Sequence, residues 1–276
     1  MTYRQITECL TDAGIEQAGT EAALLLAHFF GVSHAQLLAF PERDYQSDTF
    51  FTALDKRCEH YPLQYVLGEW DFFSETYYVD PSCLIPRSDT ELLVEQAIAS
   101  LPPKAHFVDL CTGSGCVAIS TLAHRSDCTA LAVDLFEETL GIAKKNAVRN
   151  GVDTRLDFLK ADILRADAFG DDTQWDAILS NPPYIRSAVV DTLETELFSE
   201  PRAALDGGAD GLSFYRAILA HHAGHLKKDG FILFEIGFDQ KEDIETLATQ
   251  YGYDCRIGFD LSGNPRTAEL KKQNRH

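Results

Sequence analysis

The chain has 276 residues, of which 45% are hydrophobic, which is ample for one or two domains with a sizeable core. Its formal net charge of -19 opposes non-specific attraction to phosphates and disfavours a nucleic acid binding protein. The seven cysteines include no C-x-x-C pair, so we expect neither a metal site nor a disulfide framework. No apolar run approaches the ~20 residues that span a bilayer, so the sequence predicts a soluble cytoplasmic protein without a membrane partner.

The N-terminal part predicts a small helical bundle. Apolar residues such as Leu25, Leu26 and Phe29 recur there at helical spacing. The stretch that follows changes character, and residues 65–68 and 77–79 predict two strands of a hairpin. We therefore expect a helical domain at 1–60, a β-hairpin connector at 61–88 and a larger domain at 89–276.

Strands and helices alternate in the larger part, which is the pattern of an open, mostly parallel α/β sheet. We expect seven strands, near residues 106–110, 129–133, 156–159, 175–179, 231–236, 253–257 and 267–270, the last of them antiparallel. Ligands in such sheets lie beyond the carboxyl ends of the strands. Gly113, Asp134, Asp162 and Asn181 all fall at such ends, so we expect them to converge on one crevice.

A glycine-rich turn follows the first of these strands and precedes an apolar helix predicted at 116–123. Gly113 and Gly115 let the backbone turn sharply and approach a ligand closely, with a helix N-terminus behind it. Asp134 closes the next strand, and a carboxylate there can accept hydrogen bonds from a ribose diol. The turn and the carboxylate together predict a nucleoside site.

The tetrapeptide Asn181-Pro182-Pro183-Tyr184 follows the apolar strand predicted at 175–179. An apolar strand that ends in Asn-Pro-Pro-aromatic resembles the amino-methylating branch of the S-adenosylmethionine-dependent methyltransferases. The Asn181 side-chain oxygen and the Pro182 carbonyl are acceptors, and the proline pair removes two N–H donors. Two hydrogen bonds from a conjugated NH2 group would orient and polarise its nitrogen, while Tyr184 offers a flat face for stacking. We expect direct methyl transfer, without a covalent enzyme intermediate.

A dinucleotide-binding dehydrogenase is the rival interpretation of the glycine turn. Gly113, Gly115 and Ala118 satisfy the G-x-G-x-x-G/A pattern. The interval from Gly115 to Asp134 fits a dehydrogenase and a methyltransferase equally well. The loop at Asn181 favours methyl transfer, because a dehydrogenase has no evident use for Asn-Pro-Pro-Tyr after its fourth strand.

Motifs in a fixed order extend over nearly the whole chain. They comprise Leu84-Ile85-Pro86-Arg87 with Thr90-Glu91, Asp109-Leu110 with Thr112-Gly113-Ser114-Gly115, Asn181-Pro182-Pro183-Tyr184-Ile185, Glu200-Pro201 with Ala204-Leu205, Asp210-Gly211-Leu212, Glu235-Ile236-Gly237, and Asp260 with Gly263 and Arg266. In this order they resemble the PrmC/HemK family of protein glutamine N5-methyltransferases. The resemblance implies a Rossmann-like S-adenosylmethionine-dependent methyltransferase domain with a seven-stranded sheet, and an N-terminal helical domain for substrate recognition.

The family's reaction transfers a methyl group from S-adenosyl-L-methionine to a glutamine side-chain amide, leaving S-adenosyl-L-homocysteine. The resemblance implies as substrate the glutamine in the Gly-Gly-Gln motif of class I peptide chain release factors, without a metal or a nucleic acid partner. The implied cofactor contacts are Cys111, Thr112, Gly113, Ser114, Gly115, Asp134, Asp162, Ile163 and Asn181. The implied substrate contacts are Asn181, Pro182, Pro183 and Tyr184, with Asn181, Pro182 and Tyr184 as catalytic residues.

Individual positions depart from this pattern or have a structural interpretation. Ile163 stands where many relatives carry an aromatic residue, so it can pack on an adenine face but loses aromatic stacking. For Arg87 we expect an ion pair with an acid such as Glu91, since most surface arginines do no chemistry.

Two other functions stay open. A DNA or RNA adenine N6-methyltransferase also uses Asn/Asp-Pro-Pro-aromatic, although the charge of -19 disfavours binding of phosphates. In a non-catalytic binding module, the fold would be retained and the helical domain would dock a partner.

Overall fold

The structure is a computed structural model that describes residues 1–170 and 173–273. It divides into two compact units. The first comprises Met1–Glu69 with the short segment Glu194–Ser199, and the second takes Trp70–Leu193 and the described chain from Glu200 onward. The boundaries at residues 60 and 88 remain a prediction. No helix in the described ranges is long and apolar enough to cross a bilayer.

The first unit is helical. Its α-helices are α1 (Tyr3–Asp12), α2 (Ala18–Phe30), α3 (His34–Ala39), α4 (Asp48–Cys58) and α5 (Leu63–Leu67). Thr2 and Ser33 begin α1 and α3 with capping boxes, in which each side chain satisfies a backbone N–H of the first turn. Leu25, Leu26 and Phe50 are fully buried and form the core of this unit. The prediction of an N-terminal helical part is confirmed.

Residues 65–68 were predicted as a strand, and this prediction is wrong. They belong to α5 and its cap, because Pro62 favours a helix start and Gly68 ends the helix in the left-handed conformation at φ 72°. The hairpin lies further along the chain, where β1 (Glu69–Phe72) pairs with β2 (Glu75–Tyr78).

The second unit contains the main sheet. Its helices and strands are α6 (Glu91–Ser100), β3 (His106–Leu110), α7 (Cys116–His124), β4 (Thr129–Asp134), α8 (Glu137–Arg149), β5 (Leu156–Lys160), β6 (Trp175–Ser180), α9 (Ser187–Val190), α10 (Ser213–Ala217), β7 (Leu226–Glu235), α11 (Lys241–Gln250), β8 (Tyr253–Phe259) and β9 (Pro265–Lys272). Within the described chain, seven strands form one sheet in the order β5-β4-β3-β6-β7-β9-β8. β9 runs antiparallel to both of its neighbours, β7 and β8, whereas the other neighbouring pairs in this sheet are parallel. The predicted seven-stranded, mostly parallel sheet is confirmed.

Helices cover both faces of this sheet. Phe107 and Leu179 pack on one side with α7, whereas Val108 and Ile178 pack on the other with α10. Successive strand side chains point to opposite faces, so burial on both sides explains why apolar residues are consecutive at the centres of these strands. The polar residues that follow the parallel strands therefore gather at one edge of the sheet.

Candidate active site

A cleft of about 380 Å³ lies at the carboxyl ends of β3, β4, β5 and β6. Most of the site residues predicted from the sequence line it: Cys111, Thr112, Gly113, Ser114, Asp134, Asp162, Ile163, Asn181 and Pro183. Gly115, Pro182 and Tyr184 are not among its lining residues. The structure thus brings together the ends of four strands that lie far apart in the sequence.

The turn after β3 is held in a left-handed backbone conformation. Cys111 and Gly113 have φ angles of 61° and 57°, and such a conformation is uncommon for a non-glycine residue. Thr112 Oγ1 donates to Asp109 Oδ2 at 2.6 Å, and the Thr112 N–H donates to the Val133 carbonyl at 3.0 Å. These bonds fix the turn against β4 and keep its backbone at the wall of the cleft.

Gly115 lies behind the turn, where α7 begins. A Cβ at this position would lie 2.8 Å from Ile119 Cδ1 and 3.2 Å from Ala143 Cβ, and its φ angle is 85°. Only glycine combines this backbone conformation with so close an approach of α7 and α8. Gly115 therefore shapes the turn through packing rather than by lining the cleft.

Asp134 presents its carboxylate to the cleft from the end of β4. Its Oδ2 accepts from the Gly113 N–H at 3.0 Å and its Oδ1 accepts from the Phe136 N–H at 3.2 Å. Burial raises the pKa of Asp134, while these backbone hydrogen bonds oppose the shift. Each carboxylate oxygen has more than one lone pair, so Asp134 can accept further hydrogen bonds from ligand hydroxyls.

The loop after β5 forms the adjacent wall. Asp162 Oδ1 accepts from the Leu164 N–H at 3.0 Å, and the Ile163 carbonyl accepts from His222 Nε2 at 2.7 Å. Burial lowers the pKa of His222, so its ring is neutral and donates a hydrogen bond from Nε2 to this carbonyl. Ile163 is buried and gives the cleft an aliphatic surface at this point.

The Asn181 amide is oriented by Thr90. Asn181 Nδ2 donates to Thr90 Oγ1 at 3.1 Å, and no described residue donates to Asn181 Oδ1. Ser180, the last residue of β6, joins this strand to β3 by donating from Oγ to the Leu110 carbonyl at 2.6 Å. The side chain that follows β6 therefore has a free acceptor oxygen at the cleft.

Tyr184 anchors the same loop to the sheet. Its Oη donates to Glu235 Oε1 at 3.3 Å, and its carbonyl accepts from Gln240 Nε2 at 3.1 Å. Burial raises the pKa of the Tyr184 phenol, so the hydroxyl keeps its proton. The expected stacking surface is not part of the cleft wall, and a substrate contact by Tyr184 remains a prediction.

Known proteins match the chain over most of its length. The sequence-family model for the PrmC N-terminal domain matches residues 2–68, and the family model for the methyltransferase small domain matches residues 88–233. A release factor glutamine methyltransferase of Moorella thermoacetica is 37% identical over 261 residues, covering 91% of each chain. This chain belongs to the PrmC family. A release factor glutamine methyltransferase of Caulobacter vibrioides is 34% identical, covering 93% of this chain and 90% of that one. The resemblance to the PrmC/HemK family is confirmed.

Solved structures with lower identity share the fold of this PrmC family member. A methyltransferase from Pyrococcus furiosus has a TM-score of 0.52 at 17% identity, covering 71% of this chain and 87% of that one. A ribosomal protein L11 methylase from Lactobacillus delbrueckii has a TM-score of 0.50 at 21% identity, covering 68% and 81%. At these identities the likeness concerns the fold alone, and it confirms the Rossmann-like methyltransferase architecture.

The Asn-Pro-Pro-Tyr loop of this PrmC family member rests on a glycine-rich segment that sequence reasoning left without a role. A Cβ on Gly207 would lie 2.7 Å from Tyr184 Cα, and one on Gly211 would overlap the Tyr184 carbonyl oxygen. The Ile185 N–H donates to the Leu205 carbonyl at 2.9 Å, and the Gly207 N–H donates to the Ile185 carbonyl at 2.8 Å. The clustered glycines were the only sequence signal for this close contact.

Arg87 pairs with Glu200 rather than with Glu91, so the expected partner is wrong. Glu200 is only 6% exposed, and its other oxygen accepts from the Ile85 N–H at 3.0 Å. Glu91 accepts instead from the Phe73 N–H at 3.0 Å. A buried carboxylate without a cation is strongly unfavourable, which explains why the guanidinium binds Glu200.

Cys83, Cys111 and Cys116 also line the cleft. Burial raises the pKa of Cys83 and of Cys116 to about 12, and it raises the pKa of Cys111 well above its ordinary value. The thiolate, rather than the thiol, is the nucleophile. These side chains are therefore neutral and unreactive at neutral pH.

Proposed function

We propose that this chain methylates the side-chain amide nitrogen N5 of a glutamine in a peptide chain release factor. Membership of the PrmC family supports the reaction class. The observation that carries the proposal at the level of the site is the Asn181 amide, whose Nδ2 is engaged by Thr90 while Oδ1 remains free. A substrate amide NH2 has two N–H donors, so it needs acceptors at this place.

The cleft fits S-adenosylmethionine by the chemistry of its lining. Asp134 offers carboxylate oxygens for a ribose diol, and Ile163 offers an aliphatic face for a purine. When bound there, S-adenosylmethionine supplies a methyl group activated by its sulfonium charge and leaves as S-adenosylhomocysteine. The proposed cofactor contacts are Cys111, Thr112, Gly113, Ser114, Asp134, Asp162, Ile163 and Asn181, with Gly115 acting through the packing of the turn.

The substrate amide would be held by Asn181 Oδ1 and the Pro182 carbonyl. An amide nitrogen is a poor nucleophile, because its lone pair is delocalised into the carbonyl group. Two hydrogen bonds from its NH2 group fix the plane of the amide and favour the positive charge that develops on nitrogen. Pro182 and Pro183 lack N–H groups, so the loop brings no competing donor from those positions.

No residue of the cleft is needed as a covalent carrier in this proposal. The cysteines that line it are neutral because their thiol pKa values are raised. The methyl group would pass directly to nitrogen, and the nitrogen would lose its proton afterwards. We extend the proposal to the Gly-Gly-Gln glutamine of class I release factors as the substrate and to the cytoplasm as the location.

Labelled S-adenosylmethionine tests this function. The enzyme is incubated with a purified class I release factor, with the same factor carrying Gln→Ala in its Gly-Gly-Gln motif, and with duplex DNA. We expect label on the unaltered factor alone. Label on DNA would favour the adenine N6-methyltransferase, and cofactor binding without transfer to any acceptor would favour the binding module.

A further inference from the structure

A buried histidine, His222, lies behind the wall of the cleft that follows β5, and the proposed reaction gives it no role. It is 0% exposed, and its Nε2 lies 2.7 Å from the Ile163 carbonyl oxygen. A carbonyl oxygen only accepts, so Nε2 must carry the proton of the neutral ring. The other ring nitrogen, Nδ1, is then an acceptor, and it has no hydrogen-bond partner in the described part of the chain. An apolar side chain would fill this place without leaving a buried polar atom unpaired, so the histidine needs a reason beyond packing.

An irregular helix carries His222. After Ala217, α10 continues as a π-helical turn, Ile218–His222. Such turns are rare, and they occur frequently at functional sites. In this turn His222 is buried, whereas its neighbour His221 is exposed. The π-helical turn therefore presents His222 to the loop that follows β5.

Aromatic side chains hold the imidazole ring in this direction. Phe169 contacts the ring edge to face, with centroids 5.1 Å apart and an angle of 82° between the planes. Phe169 packs in turn on Trp175, the first residue of β6, at a centroid distance of 4.7 Å. Trp175 is fully buried in the core on this side of the sheet. The position of the His222 ring is therefore fixed by that core.

The bond from His222 fixes the peptide group that joins Ile163 to Leu164. Both of these residues line the cleft, Ile163 as a buried side chain and Leu164 at 44% exposure. The start of the loop is tied to the sheet by the Ala161 N–H, which donates to the Asp134 carbonyl at 3.0 Å. The orientation of the Ile163–Leu164 peptide plane sets the directions of both side chains, so His222 determines where this aliphatic surface lies.

An aliphatic wall depends strongly on its exact position. Ile163 has no aromatic ring for stacking, so its attraction to a purine comes from dispersion and from burial of apolar surface. A gap of about 0.5–1 Å removes roughly a quarter to a half of the dispersion energy at a contact. A small displacement of the Ile163–Leu164 peptide would therefore weaken the contact with a bound nucleoside.

We propose that His222 is a positioning residue that, through its bond to the Ile163 carbonyl, holds the aliphatic wall of the cleft against the purine of S-adenosylmethionine. This inference rests on the proposed binding of that cofactor in the cleft. It assigns part of the cofactor affinity to a side chain behind the cleft wall. The nucleoside part of the cofactor does not change during methyl transfer, so His222 should affect binding of the cofactor and of its product rather than the transfer step.

Calorimetric binding of S-adenosylhomocysteine to three His222 variants tests this inference. His222→Leu removes the donor and should raise the Kd ~10-fold, because the Ile163 carbonyl loses its partner. His222→Gln places an amide N–H near the position of Nε2 and should keep the Kd within ~3-fold of the unaltered value. His222→Asn carries the same amide only as far as the position of Nδ1, which is too short for the bond, so its Kd should resemble that of His222→Leu.

Methylthioadenosine locates the effect within the cofactor. It keeps the purine and the ribose of S-adenosylhomocysteine but lacks the amino acid part. For His222→Leu we expect the Kd of both ligands to rise by the same factor. With a release factor as substrate, the KM for S-adenosylmethionine should rise, while kcat at saturating cofactor stays within ~2-fold of the unaltered value.

His225→Leu is the matched control, because His225 belongs to the same group of aromatic side chains and has a similar bond. Its Nδ1 lies 3.0 Å from the Thr173 carbonyl oxygen, and its ring contacts Trp175 with centroids 5.4 Å apart. Thr173 does not line the cleft. We expect urea unfolding to show a loss of stability for both leucine variants, but an unchanged Kd for S-adenosylhomocysteine in His225→Leu.

An unchanged Kd in His222→Leu, or equal weakening in His225→Leu, would overturn the positioning role while the proposed function stood. A loss of affinity for S-adenosylhomocysteine without a loss for methylthioadenosine would do the same, because it would place the effect at the amino acid end. If His222→Leu does not fold, the comparison of His222→Gln with His222→Asn decides, and equal Kd values for these two would overturn the role. If the unaltered enzyme bound neither ligand, the proposed cofactor site would fail, and this inference with it.

Discussion

The two loops that meet in the cleft are held in place by different means. In the turn after β3, Thr112 bonds to Asp109 only three residues away, and Gly115 packs on Ile119 in the following helix. The shape of this turn is thus specified largely within β3, the turn and α7, and its further bonds to Val133 and Asp134 reach only the next strand, β4. The conformation of such a turn can therefore be predicted largely from its own short sequence motif.

The Asn181 loop depends on residues that are distant in the sequence. Asn181 bonds to Thr90 across 91 residues, and Tyr184 bonds to Glu235 and Gln240 across 51 and 56 residues. The geometry of this loop therefore exists only when the sheet has formed. We therefore expect substitutions around the turn to act mainly on cofactor binding and substitutions around the loop to act mainly on turnover.

Asn181→Ala should show the largest difference between an effect on turnover and an effect on cofactor binding. It removes the acceptor that we propose orients the substrate amide, so kcat should fall ~10²–10³-fold, while the Kd for S-adenosylmethionine changes far less. Single-turnover transfer of labelled methyl and calorimetric binding of the cofactor measure the two quantities. An unchanged single-turnover rate on the release factor would remove Asn181 from the mechanism.

Gly207→Ala tests whether the loop geometry depends on the packing of a remote segment. The added Cβ would lie 2.7 Å from the Pro183 carbonyl oxygen and from Tyr184 Cα, so the loop must shift, and we expect a ~10²-fold loss of kcat. Gly141→Ala in α8 is the control, because a Cβ there meets no atom within 4 Å. Equal activity of the two variants would contradict the dependence on Gly207.

Glu235→Gln should change how stability depends on pH. In the folded protein the pKa of Glu235 is raised to about 7, against 4.5 for the ordinary side chain. Between these two pH values the folded protein therefore binds more protons at this group than the unfolded protein does. Stability from this group is greatest below pH 4.5 and falls as the pH rises toward 7, by at most about 3 kcal/mol. Urea unfolding at pH 5 and 8 should show a smaller fall in the free energy of unfolding for the variant than for the unaltered protein. An identical fall would mean that a group other than Glu235 causes the pH dependence.

Asp134→Asn provides the complementary test at the turn. Loss of the charge and of one acceptor oxygen should weaken S-adenosylmethionine binding ~10-fold, with little change in kcat at saturating cofactor. Asp157→Asn, at an exposed position on β5, serves as the control. A large loss of kcat with unchanged affinity would contradict the assignment of Asp134 to cofactor binding.

The main features of the fold were predictable because they follow from local pattern. The buried strands β3, β4 and β6 have consecutive apolar residues at their centres, and the turn between β3 and α7 has its own glycines. The error at residues 65–68 arose because Tyr65 and Val66 favour a strand, while Pro62 and Gly68 mark the start and end of a short helix. Those two boundary residues were the better guide.

Within the site, too, the features set by local sequence pattern were predictable and those set by distant contacts were not. Cleft residues such as Gly113, Asp134 and Asn181 fall at strand ends, where the position can be inferred from the order of elements. The contacts that hold the Asn181 loop could not be inferred, because no spacing in the sequence relates Thr90 or Glu235 to it. The pairing of Arg87 with Glu200 was missed for the same reason.

The cysteines of the cleft have a consequence for an enzyme that handles an alkylating reagent. S-adenosylmethionine, bound as we propose, would lie near Cys83, Cys111 and Cys116, and sulfur anions are among the strongest nucleophiles in a protein. Their raised pKa values keep these side chains as thiols. With the cofactor in the proposed position, the burial that keeps these thiols neutral would also keep the enzyme from methylating itself.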